Sequence, residues 1–490
     1  MRNLIFSILT LVTLSVQAQK NVFYDQSFWK GNADVAAVKA EIAKGNSPSQ
    51  LNTNAMDAIV YAINSDAQQE SILYLLAQPG NDVNKITHDG RTYLFWAAAR
   101  GNTQVMDYLL KNGAKVSLQD SHGYSPLTFA ATGGQKNTKV YDLLIANGVN
   151  LKTDVNHDGA NALLIAIPND PDFTLTEYFL AKGLDLNSKD AAGNTAFNYV
   201  ARGGNIELMN KLVQKGIKFN DNAMIMASQG TRRGANGIEV YKYLESLKIK
   251  PTAVGTNGEN VLHNLVRKPN QEEIITYFLS KGVDPNQADA AGNTAFMNAA
   301  ASSRDLSLLN LLVKNVKNIN QTNAKGVSPL ALAVSNNSPE VVQWLIEKGA
   351  NVNTVDQSGD NLAVYLIQSY NPQKAEEFEA KLKILTDKGF AFDKVQANGN
   401  SLYHLAIAKN NLALIKRLET LKVDVNLKNK EGYTALHKAA MTAKSTDIMQ
   451  YLIAIGAKKD ITTSFKETPY DLASENEYLV KNKVAIDFLK

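Results

Sequence analysis

The chain has 490 residues, of which 44% are hydrophobic and 20% charged, with 51 Lys and Arg against 47 Asp and Glu. That near-neutral balance leaves no electrostatic footprint for nucleic acid or an anionic membrane, and the composition is that of a folded chain. There is no cysteine, which excludes disulfides, thiolate metal ligands, a cysteine nucleophile and a lipidated cysteine.

Met1-Arg2-Asn3 is a short basic start, residues 4–16 are apolar, and Val16-Gln17-Ala18 is a permissive cleavage site. This pattern predicts a secretory signal peptide over residues 1–18, cut after Ala18. The apolar run is shorter than the ~20 residues of a spanning helix, and no other segment is long and apolar enough to cross a bilayer. The expected location is periplasmic or secreted. Residues 19–52 read as an N-terminal helical cap, its helical part being residues 28–45.

From residue 53 to residue 460 the sequence repeats itself with a period near 33 residues. Residues 120–150, 323–353 and 429–457 show it best. Each unit has a polar turn ending in Gly (Gly123, Gly326, Gly432), then a Ser/Thr-Pro/Ala-Leu start, small Ala residues, and an amphipathic stretch closed by Gly. The turn Gly tolerates positive φ. Ser125-Pro126, Ser328-Pro329 and Thr468-Pro469 read as an N-cap followed by Pro at the first helical position. Val341, Val342, Leu345 and Ile346 form one apolar helix face. Residues 461–490 begin as another such unit and turn polar, as a terminal capping repeat must.

This pattern resembles the ankyrin repeat. The family motif T-P-L-H-x-A-A, followed by V-x-x-L-L-x-x-G-A, is met nearly whole at residues 434–440 and 448–457. The resemblance implies an all-α solenoid of about twelve helix-turn-helix and hairpin units with helical caps that binds another protein, and the signal-peptide pattern adds the expectation of a bacterial, exported member. The unit at about 220–251 is recognisable mainly from its neighbours. A longer period also runs through the chain. DAAGNTAF stands at 190–197 and 289–296, and Asn161, Asn260 and Asn361 replace the motif Thr, which divides the repeats into four blocks of three. The same class of repeat carries Pro-bearing insertions at 167–172, 267–273 and 369–378. At ~10 Å per helical layer such loops recur every ~30 Å along one edge. Inherited duplication is the plainer reading of them.

Catalytic and metal motifs are missing: there is no H-E-x-x-H, G-x-S-x-G or Walker A pattern. At His263, His404 and His437 the resemblance implies a structural imidazole bonding across the turn. His88, His122 and His157 lie in consecutive turns about ~10 Å apart, too far to share one zinc ion. No metal and no cofactor is expected. The aromatic residues Trp96, Phe129, Tyr199 and Tyr365 share the x position of the motif, which points to packing between repeats. Residues 229–237 form a basic, glycine-rich loop with Arg232 and Arg233, read as an insertion between helices.

In ankyrin-like proteins the binding face is made by the hairpin turns and the exposed side of the first helices. Carried over, that points to His88, Asp89, Arg91, Arg100, His122, Tyr124, Arg202, Glu259, Asp360, Lys430, Glu431 and Tyr433. Arg91, Arg100 and Tyr124 form the first candidate patch, Arg and Tyr being enriched at hot spots. The expectation is a monomeric, non-catalytic partner-binding module that acts as an inhibitor, scaffold or protection partner for an unidentified protein. A binder of a small anionic ligand or glycan is the alternative and requires one deep pocket. A concealed enzyme requires a constellation converging on one cleft.

Overall fold

Each repeat begins at a side chain that caps its first helix. Ser125 Oγ accepts the Thr128 N–H at 3.1 Å, and Thr128 Oγ1 accepts the Ser125 N–H at 2.7 Å. Pro126 then opens the helix Pro126–Thr132 where its missing N–H costs nothing. The same reciprocal cap joins Asn260 to His263, Ser401 to His404 and Thr434 to His437. These first helices are short: Tyr93–Arg100 has 8 residues and Ala162–Ala166 has 5. Isolated helices of this length are not stable in water, so packing holds them. Tyr93, Leu94, Phe95 and Ala97 are wholly buried. The second helices bury one face only. In Thr103–Lys111 that face is Val105, Met106 and Leu109, while Asp107 and Lys111 pair in solvent.

The computed structural model describes residues 21–232 and 234–490, and the expected signal peptide lies outside them. Among the described residues the architecture is all-α. No strand forms, and the β-pairing is limited to isolated bridges such as Val155–Asn161 and Val355–Asn361. No described helix is long and apolar enough to cross a membrane.

The chain divides into two compact units, with the boundary between Ala223 and Met224 inside the helix Asn222–Gln229. In the first unit, a cap pair (Gln26–Lys30 and Val35–Ala43) precedes five helix pairs that end with Ala196–Gly203 and Ile206–Gln214. The second unit runs through seven pairs to Ala435–Thr442 and Asp447–Ala454, then closes with Pro469–Ser474 and Glu477–Lys481. The boundary has a sequence cause. The connection between the last second helix and the next first helix shrinks to residues 215–221, against residues 182–195 one repeat earlier. The polar hairpin is missing there. In its place Asn220 donates to the Gly193 carbonyl at 2.9 Å and accepts from Asn198 at 2.7 Å, while Asn222 donates to Asn194 at 2.6 Å.

Neighbouring repeats are joined by polar bonds that no single repeat can make. Turn amides reach back to the preceding turn: Ser121 N–H to Asp89 O at 2.8 Å in the first unit, and Ala324 to Ala291, Gln357 to Lys325 and Lys430 to Asn398 at 2.9 Å in the second. Asn286 donates to Asn315 O at 2.8 Å and accepts the Lys317 N–H at 2.9 Å. Asn84 and Asn426 do the same in their repeats. Asn337 bonds the carbonyls of Ala300 and Ser303 at the end of the preceding first helix. In the tenth repeat the buried Lys381 takes that role, donating to Val334 O at 3.0 Å. Burial pulls its ammonium pKa down.

The expected histidine role is met. His404 Nδ1 accepts the Ser401 N–H at 3.1 Å, and Nε2 reaches the Tyr433 carbonyl of the next repeat at 2.9 Å. His263 and His437 reach Asn293 O and Glu467 O in the same way. The Pro-bearing connection at 167–172 has a structural role as well. Asp170, 1% exposed, accepts the Leu175 and Thr176 N–H groups and the Thr176 hydroxyl, capping the next helix.

Two expectations follow. Gly326 has φ +76°, and a Cβ there would lie 2.6 Å from Gln357 N, whereas Gly349 has φ +95° and open space around it. Gly326→Ala should therefore lower stability by about 2–3 kcal/mol, and Gly349→Ala by about 1 kcal/mol, as read by urea unfolding followed by circular dichroism. Burial pulls the His404 and His437 pKa values below 6.5. As pH falls below about 6.5, the unfolded chain binds protons that the folded chain refuses, so stability is lost with acid. The urea midpoint should fall between pH 7.5 and 5.5, and a His404→Gln/His437→Gln variant should show a smaller fall.

Candidate protein-binding surface

Each hairpin turn is shaped by the side chain that opens it. Asp120 Oδ1 accepts the N–H groups of His122 and Tyr124, both at 2.9 Å. Asp190, Asp289, Asn323 and Asp356 hold their turns in the same way. In three repeats an aromatic residue nine positions after the one that opens the turn bonds back to it. Trp96 Nε1 donates to Thr87 Oγ1 at 2.9 Å, the Tyr199 hydroxyl to Asp190 at 3.0 Å, and the Tyr365 hydroxyl to Asp356 at 2.6 Å. Packing between repeats holds for Trp96, whose ring meets Phe129 edge-on at 5.8 Å. Tyr199 and Tyr365 bond instead to the turns of their own repeats.

Phe129 has no polar head, and this decides the fate of Arg91. Asp120 is left to accept Arg91 Nε at 2.8 Å, while Arg91 Nη1 lies 3.2 Å from Asp89. The guanidinium stacks over the Phe129 ring at 4.2 Å and is 7% exposed. The sequence expectation of a solvent-facing contact at Arg91 is thus corrected: the residue ties the second repeat to the third and is closed to a partner. Arg100 is exposed but engaged, its guanidinium bonded to Asp66 of the first repeat. Tyr124 is half-buried. The first candidate patch is therefore largely committed to holding repeats together.

The same turns bring His88 and His122 together. Each Nε2 lies 3.4 Å from the same Asp89 oxygen, and His88 Nδ1 is 2.9 Å from Asn54 O. Side chains thus reach across a turn spacing that the sequence reading took as separating them. His157 does not join, since its ring covers Gly123. Arg91 occupies the same carboxylate. Among the described residues no group of three His, Asp or Glu is placed to hold a metal ion.

The remaining candidates divide by role. Glu259 folds over its own turn and accepts the Asn257 N–H at 3.0 Å, replacing the carboxylate that Gly255 lacks. Asp360 is half-buried, and its carboxyl pKa is raised by burial and then by Asp356. His122, Arg202, Lys430 and Glu431 are exposed, and Tyr433 is half-buried.

Glu431 and Tyr433 border a feature that the sequence reading missed. In the second unit a cavity of about 440 Å³ opens on the first helices Leu362–Gln368, Leu402–Ile407 and Ala435–Thr442. Val364, Ile367, Leu405, Ala408 and Met441 form its walls, and Lys409 and Lys438 stand at its edge. The position filled by Trp96, Phe129, Tyr199 and Tyr365 in their repeats is Leu405 in the eleventh repeat and Lys438 in the twelfth, but it is non-aromatic at Ile165, Asn264, Asn298 and Leu332 as well, so the sequence alone did not mark this place.

Comparison with known proteins matches this geometry. The family model for ankyrin repeats in three copies matches residues 30–120, 59–155, 262–356 and 374–484, and that for ankyrin repeats in many copies matches residues 165–213. The ankyrin repeat protein FPV031 of Fowlpox virus is 29% identical over 172 residues, 33% of this chain and 49% of its own length. Alpha-latroinsectotoxin-Lt1a of Latrodectus tredecimguttatus is 24% identical over 316 residues, 61% of this chain and 22% of the toxin. Phosphocholine transferase AnkX of Legionella pneumophila is 32% identical over 113 residues, 23% of this chain and 12% of the transferase. The chain thus spans half or less of the length of each.

The ion pairs separate experimentally. Arg91→Ala leaves the buried Asp120 carboxylate without its cation and should cost about 3 kcal/mol, whereas Arg100→Ala, at an exposed pair, should cost less than about 1 kcal/mol. Urea midpoints of the two variants check this.

Proposed function

Because this chain belongs to the ankyrin-repeat family, whose fold is generally a non-catalytic interaction scaffold, we propose that it is an exported protein-binding module. It acts outside the cytoplasm as an inhibitor, scaffold or protection partner of another protein. The observation that carries this reading is the open, apolar cavity on the first helices of the second unit, bordered by the exposed Glu431 and the half-buried Tyr433, with the exposed Lys430 next to Glu431 in the turn. A carbon-walled recess with a polar rim is the form of a protein-interaction hot spot. Export rests on residues 1–18 and their signal-peptide pattern.

The small anionic ligand or glycan reading is less well supported. Such ligands need convergent polar groups, and the walls here are mostly carbon. In the 229–237 loop, of which Arg233 lies outside the described residues, Thr231 and Gly234 form a bridge and Asn236 donates to Ala227 O at 2.8 Å.

The test is affinity capture from periplasmic extract and culture medium with the purified chain, beside a Lys430→Ala/Glu431→Ala/Tyr433→Ala variant. A protein retained by the wild type and lost by the variant is expected. Failure to retain any protein across growth conditions would overturn the interaction-module reading.

A further inference from the structure

The cavity of the second unit lies where Leu405 and Lys438 stand at the repeat position that carries a ring at Trp96, Phe129, Tyr199 and Tyr365. Leu405 is too short to cover the space, and Lys438 is flexible and charged. We propose that this cavity is a socket for one large apolar side chain of an extended partner segment in which an acidic residue flanks the apolar one. The inference rests on the interaction-module reading and names the chemistry of its partner.

Size and lining set the apolar half. A volume of about 440 Å³ lies within the roughly 300–1,000 Å³ range of built binding pockets. Its walls are Val364, Ile367, Leu405, Ala408 and Met441. Met441 is 45% exposed, and a flexible thioether re-packs around whatever enters. One turn further on, Phe465 is 78% exposed. Its neighbour Ser464 donates to the Glu431 carbonyl at 3.2 Å. A segment leaving the socket toward the last repeat therefore finds a second apolar contact.

The rim sets the charge. Lys438 makes no ion pair among the described residues, and Lys409 Nζ holds only the neutral carbonyl of Gln368 at 3.1 Å. The Tyr433 hydroxyl makes no hydrogen bond among the described residues. The one rim carboxylate, Glu431, already accepts from Asn429 at 3.4 Å. Two ammonium groups and a free hydroxyl are thus offered against one partly engaged carboxylate. Beneath them His404 is buried and neutral, its pKa lowered first by burial and further by the charge of Lys438. A basic residue entering here would meet Lys409 and Lys438, while a carboxylate finds two ammonium groups that pair with no carboxylate among the described residues.

The probe is a phage-displayed library of random heptapeptides panned on the full chain. Sequences with Leu, Phe, Trp or Met within two positions of Asp or Glu should be enriched. A fluorescein-labelled synthetic copy of the leading sequence should then bind by anisotropy. Ala408→Trp, which fills the socket from an exposed position, should weaken it at least tenfold. Lys438→Glu should weaken it and shift selection toward basic flanks, while Lys111→Ala, on an exposed second-helix face of the first unit, should leave it unchanged. Absence of a shared sequence overturns the proposal, as does enrichment of basic-flanked peptides by the wild type. A leading peptide indifferent to both Ala408→Trp and Lys438→Glu also overturns it, while leaving an interaction module with its site elsewhere. Dimerisation of the free chain in sedimentation, abolished by Ala408→Trp with no peptide selected, would assign the socket to a second copy and overturn it too.

Discussion

A single repeat of this protein cannot satisfy its own polar groups, and the fold depends on that. The imidazole Nε2 of His263, His404 or His437 finds its acceptor only in the turn of the following repeat. The turn amides of Ala324, Gln357 and Lys430 find theirs only in the turn before. The side-chain amides of Asn84, Asn286 and Asn426 link one repeat to the end of the next second helix. Helices of five to eight residues gain little from local propensity. A buried polar group left unpaired costs about 1–3 kcal/mol, so each repeat is held in place by its neighbours. Stability of this kind is close to a sum of nearest-neighbour terms. Where the hairpin is deleted, at residues 215–221, the compact units divide.

The same constraint sorts the surface. A residue that links repeats is not available to a partner, however exposed its position looks in a repeat alignment. Arg91 is held between Asp89 and Asp120, and Glu259 replaces a missing turn carboxylate. Positions with no such duty are free to vary, and at Leu405 and Lys438 that freedom removes the ring found elsewhere. The resulting recess is preformed by helices held from both sides. A preformed recess lowers the ordering cost of binding.

Much of this was legible in the sequence, because repetition multiplies weak local signals. The N-caps at Ser125 and Thr434, the turn glycines and the capping histidines all stand where their motifs placed them. What was not legible depends on combinations between repeats. Arg91 is buried because the next repeat carries Phe129 in place of Trp or Tyr, which leaves Asp120 unclaimed. His88 and His122 meet at Asp89 because side chains reach across a spacing that backbone geometry alone keeps apart. The cavity was not legible because Leu405 and Lys438 do not stand out: the same position is also non-aromatic at Ile165, Asn264, Asn298 and Leu332.

The most direct test of this account is native-state hydrogen exchange on the free chain. Turn-tip amides ordinarily exchange fast, being solvent-exposed and outside regular secondary structure. If neighbouring repeats are held by inter-turn bonds, the amides of Ser121, Ala324, Gln357 and Lys430 should exchange as slowly as those of the first helices beside them. Rapid exchange at these four amides while the helices stay protected would show that the turns do not couple the repeats, and would contradict the account.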